Sequence, residues 1–161
     1  MGGGSQGFRT SYARTSYSDS NQSNLSEYQN GTAGLKRAFI SFHIEDEPQV
    51  DLLRHQAKDD RFDLEFVDYS VKEPFDEKWK TQCTERIRQS SVIIVMIGSE
   101  TYSREAVLWE INKAYELGKP VIGVRIHKNR NDPIPELMRQ NHAKIVNWKM
   151  DEIQKAIDHA K

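Results

Sequence analysis

Three segments of the chain carry polar side chains that could bind a substrate, and each follows or adjoins an apolar run. They are residues 41–46, residues 97–99 and the segment around Glu110. The first offers hydroxyl, imidazole and carboxyl groups, the second a glycine and a hydroxyl, and the third a carboxyl group. In an open α/β sheet, ligands bind beyond the carboxyl ends of the strands, where loops from different strands converge. The sequence therefore predicts a site at one edge of such a sheet.

Glu110 is the glutamate best placed for chemistry on its predicted helix. The apolar stripe of that helix follows helical spacing and consists of Val107, Leu108, Ile111, Ala114 and Tyr115. At about 100° per residue, Glu105 and Glu116 point away from the stripe, whereas Glu110 lies at its margin. A marginal carboxylate can face a cleft while its helix stays packed. The alternative is a solvated glutamate, the usual fate of an acid on a helix surface.

The other polar residues near the strand ends each fit a binding role or a structural role. Phe42 and His43 line a pocket, with Phe42 stacking on a ring, or else Phe42 is core and His43 hydrogen-bonds locally. Asp46 orients the substrate or a turn, or it caps the first helix. Ser99 and Thr101 bind a hydroxyl or phosphate group, or they cap the third helix.

Several classes of protein are disfavoured by composition. The formal net charge of −1 over 161 residues argues against a nucleic-acid partner. No apolar run reaches the roughly 18 residues of a membrane span, and no apolar signal segment is seen, so we expect a cytoplasmic protein. The five histidines are scattered, and the single cysteine, Cys83, excludes thiolate-cluster metal sites and an internal disulfide. We expect no metal, and we expect Cys83 to be a core residue.

Hydrophobic patterning after residue 35 predicts strands that alternate with helices. The predicted strands cover residues 37–42, 64–67, 92–97, 120–126 and 144–148. The predicted helices start near Pro48, near Asp76, at about residue 104 and at residue 150, and the third ends at Gly118. The β-branched run 92–97 is typical of a central strand, and residues 64–67 of an edge strand. This order indicates a five-stranded parallel sheet with helices on both faces, a flavodoxin-like three-layer sandwich.

Residues 1–34 differ from the rest of the chain. They are rich in Gly, Ser, Asn, Gln and Tyr and nearly lack aliphatic residues. Such a segment buries too little apolar surface to offset its ordering entropy, so we predict a disordered tail before a domain at residues 35–161. Its tyrosines promote self-association, or the tail is inert.

Three families that share a doubly wound sheet do not fit the strand ends. A phosphorelay receiver needs an aspartate where the third strand here ends in Gly98 and Ser99. A flavodoxin needs a small-residue phosphate loop where residues 42–45 are bulky and acidic. A dinucleotide-binding Rossmann domain needs a G-x-G-x-x-G motif, which follows none of the strands.

The sequence resembles the TIR-like domains, and most closely the Thoeris-type TIR-like proteins of bacterial antiphage defence. The resemblance rests on residues 36–43 with Asp46, on residues 95–99 with Thr101 and Tyr102, and on residues 109–111. It implies cleavage of NAD, as a substrate and not a cofactor, at the nicotinamide glycosidic bond. It also implies a cyclic ADP-ribose isomer that activates a separate effector, a phage-derived trigger, and a catalytic glutamate at Glu110.

The chemistry that the resemblance implies needs few residues. Neutral nicotinamide is a good leaving group, so the reaction mainly needs stabilisation of an oxocarbenium-like ribose, which one carboxylate supplies. The segment 68–75, with Tyr69, corresponds to the family loop that gates the site and often contacts a neighbouring subunit; a plain connection is the alternative. Trp109 points away from the apolar stripe, which favours exposure and a homo-oligomer.

Two other functions stay open at this stage. The first is a TIR-like module that works only by assembly and has no enzymatic activity. The second is an enzyme similar to the nucleoside deoxyribosyltransferases, which share the sheet architecture and use a glutamate as a nucleophile at an anomeric carbon. Turnover of nucleosides would distinguish the second from an NAD-consuming enzyme.

Overall fold

The computed structural model describes residues 35–58, 62, 64–67 and 76–161. The predicted tail at residues 1–34 and the segment 68–75, with Tyr69, lie outside these residues. The strands are β1 (Lys36–Ser41), β2 (Leu64–Phe66), β3 (Val92–Ile97), β4 (Val121–Arg125) and β5 (Lys144–Asn147). The helices are α1 (Glu47–Ala57), α2 (Glu77–Gln89), α3 (Glu105–Glu116), α4 (Glu136–Gln140) and α5 (Met150–His159), with 3₁₀ turns at Ile44–Asp46 and Thr101–Ser103.

The five strands form one parallel sheet in the order β2-β1-β3-β4-β5. This order confirms the predicted flavodoxin-like architecture. Every residue of β3 is buried, as its β-branched composition predicts for a strand covered on both faces. β2 lies at the edge, where the short run 64–67 is expected.

Two apolar cores cover the two faces of the sheet. Successive residues of a strand point to opposite faces, so Ile40 packs with α1 and α5 while Phe39 packs with α2, α3 and α4. The side chain of Ser41 therefore follows that of Phe39 toward α2 and α3. The carboxyl ends of the strands are left free to carry the connecting loops.

Local signals in the sequence start and stop the helices where expected. Pro48 lies in the first turn of α1, and the Asp76 carboxylate accepts a 2.7 Å hydrogen bond from the Trp79 N–H at the start of α2. After α3, Gly118 has a φ of 65°, in the left-handed region that glycine adopts without strain. These contacts confirm the predicted helix boundaries to within a residue or two.

The sequence did not predict one short helix, and one expectation about local structure is wrong. The segment before β5 contains the short helix α4, whose five residues are too few to show a helical period. Trp109 is not exposed: it is partly buried and packs against Trp79 of α2, with ring centroids 5.1 Å apart. The pattern of α3 alone could not show that α2 covers this side of the helix. Among the described residues, no helix is long and apolar enough to cross a membrane.

Candidate active site

The strand order reverses beside β1, so the loops that follow β1 and β3 leave the sheet in different directions. This switch point is where ligands bind in open α/β sheets. The structure brings together there the two polar segments that follow β1 and β3, as predicted. Ser41 is the last residue of β1 and pairs in register with Val95 of β3, and Gly98 follows β3 directly.

Glu110 lies beneath the end of β1, between α2 and α3. Its side chain is 5% exposed, and the Ser41 hydroxyl donates a hydrogen bond to Oε2. The thiol of Cys83, on α2, donates to Oε1 over 3.8 Å. The sequence places Glu110 at the margin of the buried stripe, whereas the structure buries it, because Ser41 and Cys83 supply polar partners within the core. Glu105 and Glu116 are exposed, as predicted.

Burial changes the acid–base behaviour of Glu110. Loss of hydration raises the pKa of Glu110 from 4.5 to about 8, and the hydrogen bonds from Ser41 and Cys83 only partly oppose this rise. The carboxyl group therefore holds its proton at neutral pH in this structure. Strongly perturbed carboxyl groups of this kind are concentrated at functional sites.

Asp46 is packed against the end of β3. A Cβ atom added to Gly98 would lie 2.6 Å from Asp46 Oδ2, so the glycine makes room for this carboxyl group. Asp46 occupies the position before α1, but its side chain makes no capping hydrogen bond, so the alternative role as a cap is wrong. Burial raises the pKa of Asp46, as do Asp132 and Glu45, while His43 and His127 oppose the rise.

Thr101 shapes the loop between β3 and α3. Its hydroxyl accepts a 2.9 Å hydrogen bond from the Gly98 N–H and donates a 3.0 Å hydrogen bond to the Met96 carbonyl. Thr101 is fully buried, whereas Ser99 is exposed. Neither residue caps α3, whose N-cap position is Arg104, so this alternative is also wrong. Thr101 instead fixes the backbone that presents Gly98 to Asp46.

His43 and Phe42 occupy different surroundings at the end of β1. His43 Nε2 lies 3.6 Å from a carboxylate oxygen of Glu45 and 3.8 Å from one of Glu100. Phe42 is partly buried against the core on the α1 and α5 face. His43 therefore belongs to a charged network, whereas Phe42 contributes to the apolar core.

One group of potential metal ligands occurs among the described residues. Ligand atoms of His43, Glu45 and Glu100 lie within 4.8 Å of one another. Arg104 already forms an ion pair with Glu100, and both glutamates are substantially exposed. This arrangement is an ion-pair network with two exposed glutamates, and the expectation of no metal stays a prediction.

Sequence reasoning missed several polar residues that lie at this edge. Asp132 and His127 follow β4, and both interact electrostatically with the carboxyl group of Asp46. Arg104 joins the same network through Glu100. Asp132 stands in a turn-rich loop, where aspartate is common for local reasons, so the sequence carried no signal that singled it out.

Comparisons with known proteins agree with this fold. A family model described as "Thoeris protein ThsB, TIR-like domain" matches residues 39–131, a range that contains Ser41, Asp46, Gly98 and Glu110. A Bacillus cereus (strain MSX-D12) protein named "Putative cyclic ADP-D-ribose synthase ThsB1" is 32% identical over 101 residues. The match covers 57% of this chain and 52% of that protein, so the chain spans about half the length of this curated relative.

Two solved structures share the architecture. The Clostridium botulinum CMP N-glycosidase BcmB is 17% identical with a TM-score of 0.50, covering 76% of this chain and 98% of that chain. A conserved protein from Enterococcus faecalis V583 is 15% identical with a TM-score of 0.51, covering 78% and 98%. At these identities the two structures show a common fold alone.

Proposed function

The chain belongs to the TIR-like domain family of the Thoeris protein ThsB, and on that premise we propose that it is an enzyme that cleaves NAD. The bond that breaks joins nicotinamide to its ribose. The observation that supports this proposal is the buried carboxyl group of Glu110, held by Ser41 at the switch point of the sheet. A carboxyl group is costly to bury among apolar residues, so its presence there favours a role in chemistry.

The reaction would use Glu110 as a fixed negative charge. As the glycosidic bond breaks, its electron pair leaves with nicotinamide, and positive charge develops on the ribose. A carboxylate beside that ribose stabilises this charge strongly, because a buried site has a low dielectric constant. The free enzyme holds a proton on Glu110 at neutral pH, and the cationic nicotinamide ring of NAD favours loss of that proton to solvent.

The group that attacks the ribose cation determines which product forms. Water that attacks C1′ and releases a proton gives ADP-ribose, whereas attack by a group within the same molecule gives a cyclic isomer. We propose the cyclic product, in line with the name of the Bacillus cereus relative. This product would act as a signal for a separate effector protein in antiphage defence, with a phage component as the trigger. We also propose that the protein forms a homo-oligomer.

Release of nicotinamide from NAD by purified protein tests the proposal, with the nucleotide products identified by mass spectrometry. We expect Glu110→Gln to abolish release and Glu105→Gln, an exposed glutamate on the same helix, to leave it unchanged. Activity of a folded Glu110→Gln variant equal to that of the wild type would refute the site assignment. No turnover of any small molecule would favour an assembly module, and base release from nucleosides or CMP without NAD loss would favour a nucleoside-cleaving enzyme.

A further inference from the structure

Buried polar atoms that lack a hydrogen-bond partner occur at the carboxyl edge of the sheet. Among the residues that the structure describes, four such atoms lie on the loops or the helix start at this edge: His43 Nε2, Gln49 Oε1, Arg104 Nε and Asp132 Oδ2. Buried polar groups in folded proteins are nearly always hydrogen-bonded, because leaving one unpaired is destabilising. A polar ligand at this edge would supply the missing partners.

Contacts and charges connect these atoms across three loops. His43, after β1, lies 3.8 Å from Glu100, after β3, and Glu100 forms an ion pair with Arg104. Asp132, after β4, and His43 both act on the charge of Asp46, which itself lies against Gly98. His43, Arg104 and Asp132 therefore belong to one network of charges at this edge of the sheet.

Asp132 contacts two arginine side chains, and one of its carboxylate oxygens has no hydrogen-bond partner. The residue is 6% exposed, and Oδ1 lies 3.0 Å from Arg130 Nη2. The Asp132 carbonyl accepts a 3.1 Å hydrogen bond from Arg125, the last residue of β4. The contact with Arg125 fixes the Asp132 backbone over the end of β4, and Asp132 Oδ2 has no hydrogen-bond partner.

The chemistry of the unpaired atoms specifies a ligand with both acceptors and donors. The Arg104 Nε–H is a donor that suits a phosphate oxygen, and Asp132 Oδ2 is an acceptor that suits a sugar hydroxyl. A dinucleotide offers both groups, in its pyrophosphate and its riboses. Rossmann domains, which have a different fingerprint, use a carboxylate in this way to accept a hydrogen bond from the 2′-hydroxyl of NAD.

We propose, resting on the proposed function, that Arg104 and Asp132 determine the specificity for NAD. Arg104 donates to a pyrophosphate oxygen, and Asp132 accepts from the 2′-hydroxyl of the adenosine ribose, while Glu110 serves the nicotinamide ribose. Both atoms are enclosed in this structure, so the loops that carry them shift as the ligand enters. Asp132 disfavours NADP, because the oxygens of a 2′-phosphate are negatively charged acceptors and would be repelled by the Asp132 carboxylate.

Equilibrium binding in the Glu110→Gln background tests this assignment without turnover. Isothermal titration calorimetry would measure the Kd of NAD, NADP and nicotinamide riboside, which lacks the adenosine and both phosphates. We expect Asp132→Asn and Arg104→Gln each to weaken NAD binding by about 10-fold or more and to leave nicotinamide riboside binding unchanged. Asp132→Asn should also reduce the preference for NAD over NADP by a similar factor.

Matched controls separate ligand contact from loop structure. Arg130→Gln removes the ion pair of Asp132 but keeps Oδ2, and Glu100→Gln removes the ion pair of Arg104 but keeps Nε. Neither variant should weaken NAD binding by more than about twofold relative to the background variant. If Asp132→Asn unfolds, as judged by circular dichroism, Arg104→Gln still decides the outcome.

The outcomes also distinguish this inference from the proposed function. Equal NAD affinity with and without Asp132 and Arg104 would overturn the inference, as would equal weakening of nicotinamide riboside binding or no binding of NAD. The proposed function is judged separately, by nicotinamide release from NAD with the wild-type protein. That release could therefore persist even when the specificity assignment fails.

Discussion

Replacing Glu110 by glutamine should make the protein more stable, and the gain should grow with pH. Burial raises the pKa of Glu110 from 4.5 to about 8. Below pH 4.5 the carboxyl group is neutral in both the folded and the unfolded chain. As the pH rises toward 8, the unfolded chain ionises while the folded chain keeps its proton, so the wild type loses stability over this range.

The size of this loss follows from the two pKa values. Each pH unit between them corresponds to about 1.4 kcal/mol, which gives about 3 kcal/mol at pH 7 and about 5 kcal/mol well above pH 8. Glutamine keeps the shape of the side chain and an oxygen that accepts from Ser41, but it cannot ionise. Glu110→Gln should therefore be more stable than the wild type by about 3 kcal/mol at pH 7.

Urea unfolding followed by circular dichroism at pH 5, 7 and 8 measures this difference. The free-energy gap between Glu110→Gln and the wild type should widen by about 3–4 kcal/mol from pH 5 to pH 8. Glu105→Gln, on the exposed side of the same helix, should show no such widening. A gap for Glu110→Gln that stays constant within about 1 kcal/mol would refute the argument, because it would mean that Glu110 ionises normally in the folded protein.

Three further predictions concern the same cluster. The kcat/KM for NAD should rise about tenfold per pH unit below pH 8 and level off above it, as the carboxylate of Glu110 forms; a flat profile from pH 6 to 9 would contradict this. Ser41→Ala removes a hydrogen-bond donor to Glu110, so the pKa of Glu110 should rise further and the midpoint of the kcat/KM profile should move to higher pH. An unchanged midpoint would show that the Ser41 hydroxyl does not lower this pKa. Gly98→Ala places a Cβ 2.6 Å from Asp46 Oδ2 and should lower the free energy of unfolding by about 1–3 kcal/mol, a loss that Asp46→Ala should partly reverse in urea unfolding of the double variant.

The fold was accessible from the sequence because its signals are local and repeated. The continuous apolar run of β3, the Asp76 cap and Gly118 each act within a few residues, and together they define the order of strands and helices. The helix α4 was not predicted, because five residues are too few to show the periodic spacing of apolar residues in a helix. Trp109 was misjudged because its partner, Trp79, is distant in the sequence.

The site could be predicted only in part from the sequence, for the same reason. The segments that follow β1 and β3 could be placed at one edge, since parallel strands end together. The burial of Glu110 depends on Ser41 and Cys83, which come from two other elements, so no pattern within α3 could show it. The unpaired oxygen of Asp132 likewise arises from tertiary contacts with Arg125 and Arg130.

The most direct test of the central claim measures nucleotides in cells that express the wild type or Glu110→Gln, with and without phage challenge. Mass spectrometry would follow NAD, nicotinamide and ADP-ribose species in each culture. We expect challenged wild-type cells to lose NAD and to accumulate a cyclic ADP-ribose species that is absent with Glu110→Gln. Unchanged NAD and no new nucleotide in any culture would contradict the account and would favour a module that acts only by assembly.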